Sequence, residues 1–173
     1  MMGAVREQGV GVPAEGLLQQ YGVIPWRKDR LGGMRVLLVT SRGRGRWIVP
    51  KGSLRKDRPP YLSAAMDAFV EAGVIGDILT HPLARYRYVR EAAGGLLQYC
   101  HVTLFGLRVR GTLTNWPERA QRMRGWFDPE EAAGMVQNPE LARAIYAIQS
   151  TKAASRVPAC MHRHRLRGAE TCC

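Results

Sequence analysis

Two carboxylates one helical turn apart, Asp67 and Glu71, follow a basic, glycine-bearing loop in WIVPKGSLRKDRPPYLSAAMDAFVEAGV, Trp47 to Val74. Residues i and i+4 share a helix face, so both can reach one hard cation such as magnesium or manganese. Either one can also accept a proton from water. Val70 stands between them and can do neither. The loop has the look of one that handles phosphate and feeds a helix.

Helical spacing has to position these groups. It runs from Tyr61 to about Ala72, and Gly73 supplies the stop. Leu62, Ala65, Met66 and Phe69 recur at helical intervals, as do Tyr61, Ala64, Ala68 and Ala72, so most of the helix surface is expected to be packed. Asp67 and Glu71 take the remaining face.

Strands are expected around it. VIPWR (23–27) reads as a short strand whose proline suits a sheet edge. MRVLLVTS (34–41) and WIV (47–49) form a hairpin around the basic turn RGRGR. VIGDIL, RYRYV and the long LLQYCHVTLFGLRV (96–109) follow, with EAAGG as a connecting turn, and WFD (126–128) is a last short strand. PEEAAGMV and PELARAIYAIQS open with proline and glutamate, as helix starts do. Strand, strand, helix, strands, helices is the order of an α/β or α+β sandwich, and it argues against a regularly alternating dinucleotide-binding fold.

A chain of 173 residues predicts one domain, here residues 21–151, between a loose arm (1–20) and a basic tail (152–173). Lys and Arg number 26 against 14 Asp and Glu, a formal charge of +12. That surplus attracts anions, whether nucleic acid, polyphosphate or an acidic surface. No apolar run is long enough to span a membrane, and no secretion signal is evident, which places the protein in the cytoplasm. Cys100 reads as a small buried thiol in a strand. Cys160, Cys172 and Cys173 lie in the tail, where an unstructured end explains them better than a metal site.

The box from Gly52 to Val74 resembles the Nudix hydrolase signature without a gap. Gly52 and Gly73 take its first and last glycines, Ala68 and Val74 its apolar positions, and Glu71 the second glutamate of its closing pair. Arg58 stands for the first glutamate, Met66 for the arginine, Asp67 for the next glutamate and Val70 for the first of the closing pair. PWR, VLLVTSR, W-apolar-apolar-PKG, WPE..QR and WF..EEA are similar to a bacterial subgroup resembling diphosphoinositol polyphosphate phosphohydrolases. The resemblance covers roughly residues 23–150. It implies an α/β/α sandwich with a mixed β-sheet and metal-dependent cleavage of a diphosphate linked to another moiety.

On that resemblance Asp67 and Glu71 are the catalytic and metal-binding residues, for magnesium or manganese, and Lys51, Gly52, Arg42 and Arg58 are the substrate contacts. Two functions are carried forward. One is a hydrolase of nucleoside diphosphate derivatives or inositol pyrophosphates, weakened because Asp67 is one methylene short and Val70 cannot ligate; errors of about 1 Å in such sites can cost about a hundredfold. The other is an inactive module in which Arg58 replaces cation charge and binds a nucleotide or polyphosphate. RNA binding is a third and less favoured reading. Glu118, in the loop NWPER, is a candidate late ligand, Trp26 a candidate for a pocket mouth, and a homodimer stays open.

Overall fold

The computed structural model describes residues 17–92 and 95–150; the cysteine-bearing tail and the first sixteen residues of the arm lie outside them. Among the described residues the chain forms β1 (Leu18–Lys28), β2 (Met34–Thr40), β3 (Trp47–Ile48), β4 (Lys51–Gly52) and α1 (Pro60–Ala72). β5 (Val74–Ile78), β6 (Ala84–Glu91), β7 (Leu97–Thr112), β8 (Arg124–Phe127), α2 (Pro129–Met135) and α3 (Pro139–Ala147) complete it. None of these helices is long and apolar enough to cross a membrane.

All the strands join one mixed sheet, with the path β3-β2-β1-β7-β5 and with β4 on β1, β6 on β7 and β8 on β2. β1 and β7 run parallel from Leu18↔Cys100 to Trp26↔Arg108. The other pairs are antiparallel.

Side chains alternate across a strand, so neighbouring residues serve opposite layers. Val23, Leu37 and Val39 meet Ala64, Ala68 and Ala72 of α1 on one face. Ile24, Val36 and Leu38 meet Ala132, Leu141 and Ile145 of α2 and α3 on the other. The result is the expected α/β/α sandwich with a mixed sheet.

Three expectations are corrected. β1 starts at Leu18, inside what reads as a loose arm, because parallel pairing with β7 holds its first residues. β1 is also central, despite Pro25. The Val23 N–H bonds Pro50 O at 3.1 Å, and pairing with β2 begins only at Trp26, so the N–H that proline lacks falls where the partner changes. Trp26 is therefore a core residue and lines no pocket mouth.

α1 begins with Pro60 at its first position and ends at Gly73, whose φ of 62° suits glycine and whose N–H reaches Phe69 O at 3.0 Å. Its alanine stripe packs closely on the sheet. Less of the helix is packed than expected, since Leu62, Met66 and Phe69 lie outward, around a shallow depression of about 220 Å³ that Arg58 also borders. At the opposite side of the sheet, Asn138 caps α3 by accepting the Leu141 N–H. Asn138 Nδ2 donates to Arg87 O at 2.7 Å, and the Arg87 N–H donates to Glu140 Oε2 at 2.8 Å, so these side chains satisfy the outer edge of β6.

Candidate functional site

β4 brings Lys51 and Gly52 against β1 through Tyr21 and Gly22, directly beside the Asp67–Glu71 face of α1. The Lys51 backbone N–H donates to Glu71 Oε2 at 3.3 Å. Gly52 must be glycine for steric reasons, since a Cβ there would overlap Asp67 Oδ2. Asp67 and Glu71, singled out by spacing, and Lys51 and Gly52, implied by the resemblance, thus share one site.

The carboxylates of this site are held by arginines. Arg55 Nη2 donates to Asp67 Oδ1 at 2.6 Å, and the Arg55 N–H donates to Ser63 Oγ at 3.1 Å. Arg122 donates from Nη2 to Glu71 Oε1 at 2.8 Å, from Nε to Glu118 Oε2 at 2.5 Å, and from Nη1 to Thr40 O at 2.8 Å. Arg42 Nη1 lies 3.6 Å from Glu118 Oε1. Glu118 is indeed beside the box, with its N–H on Val70 O at 3.1 Å.

Arg58 is not among these groups. The Arg58 N–H closes a turn onto Arg55 O at 3.3 Å, and Asp57 takes φ of 60°. The turn leaves Arg55 facing Asp67 and sends Arg58 to the depression on the outer face of α1. Arg55, Arg122 and Thr40 were not singled out by the sequence. The signals available were the i, i+4 spacing of Glu118 and Arg122 and the place of Arg122 at the end of WPE..QR and of Thr40 within VLLVTSR.

The last turn of α1 is fixed from outside. Trp116 Nε1 donates to Glu71 O at 3.2 Å. Arg124 donates to Ala72 O at 2.5 Å and to Leu113 O at 2.6 Å, with its guanidinium 3.9 Å from the Trp116 ring centroid. These bonds satisfy carbonyls that a helix end leaves open.

Burial dominates the protonation of the site. It raises the Glu71 pKa to about 7, against the pull of Arg122 and Lys51. It also raises that of Asp67, partly offset by Arg55. Lys51 is pushed below the usual lysine range, because desolvation outweighs the attraction of Glu71.

Next to these groups a cavity of about 740 Å³ opens between the β2–β3 turn, β6 and the start of α3. Lys51, Tyr86 and Tyr88 form its inner wall, and Arg44, Arg46 and Arg90 stand around it. The Lys51 ammonium is 5.2 Å from the Tyr88 ring centroid. Tyr86 and Tyr88 stack with centroids 6.0 Å apart, and Tyr88 Oη donates to Gln20 Oε1 at 2.6 Å. Arg90 shares the tyrosine face of β6, while Arg85 and Arg87 point to the other.

These residues do not fit a divalent ion. Both Glu71 oxygens are already acceptors, from Arg122 and from the Lys51 amide. Asp67 keeps one buried oxygen without a hydrogen bond, Oδ2, but it is pressed against Gly52. Among the described residues no group of three or more His, Cys, Asp or Glu is placed to hold a metal. Fully ionised, the three carboxylates Asp67, Glu71 and Glu118 carry only the charge that Arg42, Arg55 and Arg122 cancel.

No family model matches the chain. It is 31 % identical over 135 residues to mouse (Mus musculus) diphosphoinositol polyphosphate phosphohydrolase 3-alpha, covering 76 % of this chain and 77 % of that protein. It is 30 % identical over 120 residues to Nudix hydrolase 12, mitochondrial, of Arabidopsis thaliana, covering 68 % of this chain and 59 % of the plant protein. Among solved structures, a C. elegans Ap4A hydrolase binary complex superimposes with a TM-score of 0.57 at 20 % identity, covering 77 % of this chain and 98 % of that one. The NUDIX domain of Shewanella oneidensis NrtR, complexed with ADP ribose, gives 0.59 at 13 %, covering 79 % and 88 %.

Proposed function

Because the chain belongs to the Nudix hydrolase family, we propose that it binds a phosphorylated small molecule carrying a diphosphate linkage in the cavity beside Lys51. A nucleoside diphosphate derivative and an inositol pyrophosphate are the two ligand classes this reading admits. The observation that carries it is the placing of a largely desolvated lysine with Arg44, Arg46 and Arg90 around one cavity with aromatic walls. An anion entering there gains charge-assisted hydrogen bonds, and the ammonium regains the counter-charge that burial denies it. Replacing Lys51 with methionine is expected to weaken binding by about 10- to 100-fold, the worth of a hydrogen bond to a charged group, as read by isothermal titration.

Hydrolysis is the second half of the reading. Members of the family generally need a divalent metal ion, which the residues of this chain's box do not fit. Its box offers Asp67 and Glu71 but no carboxylate at Val70, and arginines already engage both. Turnover of the bound diphosphate is therefore expected to be weak or absent.

The test is a panel of dinucleoside polyphosphates, sugar nucleotides, nucleoside triphosphates and inositol pyrophosphates, assayed with magnesium, manganese or chelator. Tight binding of one class with slow or no cleavage is the expected result. Rapid metal-dependent cleavage that disappears in an Asp67→Asn/Glu71→Gln double variant would establish an ordinary hydrolase and overturn the weakened-site reading.

A further inference from the structure

We propose that the guanidinium of Arg122 is the resident cation of the box, holding Glu71 and Glu118 so that the site works without a divalent metal. The inference holds whatever ligand the Lys51 cavity takes. Arg122 has a side chain only 5 % exposed, and it bridges residues from three parts of the chain: Thr40 at the end of β2, Glu71 on α1 and Glu118 in the loop before β8. A merely structural ion pair needs one carboxylate. This one collects the remaining box glutamate and the nearest loop glutamate on a single guanidinium, and ends on a main-chain carbonyl that fixes its depth.

Its own position is locked as well. The Met123 N–H donates to Thr40 Oγ1 at 2.9 Å, and the Thr40 N–H donates to Met123 O at 2.9 Å. The residue after Arg122 is thereby stitched to the strand that also accepts from its guanidinium. A tethered, planar cation with several fixed donors needs no dehydration step, whereas magnesium sheds its water reluctantly. A free ion competing for Glu71 and Glu118 would have to expel a group already held in place. It would also enter a cluster in which Arg42 and Arg55 leave no surplus of negative charge.

Manganese is the probe, with its free concentration read by electron paramagnetic resonance on the full chain. The wild-type protein is expected to take up no more manganese than Glu71→Gln does, since any ion bound elsewhere, for instance by tail residues, survives that change. An Arg122→Gln variant keeps hydrogen-bond donors but removes the charge. It is expected to gain about one ion per chain and to lose that ion again when Glu71→Gln is added. Wild-type uptake that vanishes in Glu71→Gln overturns the proposal, and so does a folded Arg122→Gln protein with no gain. If Arg122→Gln does not fold, the comparison of wild type with Glu71→Gln decides alone.

Discussion

Replacing Arg122 with leucine lowers the unfolding free energy by about 3–5 kcal/mol, the usual cost of removing one partner from a buried ion pair. The change leaves Glu71 and Glu118 without their guanidinium, and both have side chains less than one-fifth exposed. It also strips Thr40 O of its side-chain donor. The leucine itself is not the problem, as it fills much of the same space. Adding Glu71→Gln and Glu118→Gln removes the orphaned charges and is expected to recover at least half of the loss, because apolar or neutral replacements of a whole buried network are often tolerated. Urea unfolding of the single and triple variants above the Glu71 pKa of about 7, where that carboxylate is charged, reads both values. A single variant within about 1 kcal/mol of wild type would mean that the pairs are hydrated rather than desolvated.

The second large effect is on pH. The folded protein holds the Glu71 proton more tightly than the unfolded chain, whose carboxyl titrates near 4.5, while the folded value is about 7. The stability linked to this group is complete below about pH 4.5 and is lost as pH rises through about 7. A shift of that size corresponds to ~3 kcal/mol. Burial is the main cause, and Arg122 and Lys51 moderate it. Asp67, also raised by burial, adds a smaller loss in the same direction. In chemical unfolding across this range, wild type is expected to lose ~2–3 kcal/mol more than Glu71→Gln. Equal slopes would show that Arg122 keeps Glu71 ionised throughout.

Local pattern made most of the framework legible. The helix of the box, the β2–β3 hairpin, the long β7 and the proline-led α2 and α3 all follow from short-range spacing and from helix-start chemistry. The resemblance of the box to the Nudix signature implies Lys51, Gly52, Asp67 and Glu71 as one site, and the structure brings the four together. Tertiary pairing hid the rest. Pro25 marks an edge by local rules, and only the switch of partner from β4 to β2 lets it sit mid-sheet. Arg55 and Arg58 are equivalent as text, but one turn with a left-handed Asp57 sends them to different faces of α1. The contact between Arg122 and Glu71 joins residues fifty-one apart, beyond the reach of any periodicity.

The sharpest measurement is a crystal structure grown with manganese and the tightest-binding member of the panel. Phosphate density is expected against Lys51, with Arg44, Arg46 or Arg90 closing on it, and Arg122 still on Glu71 and Glu118. A manganese ion touching both Asp67 and Glu71, with Arg122 swung away, would contradict it.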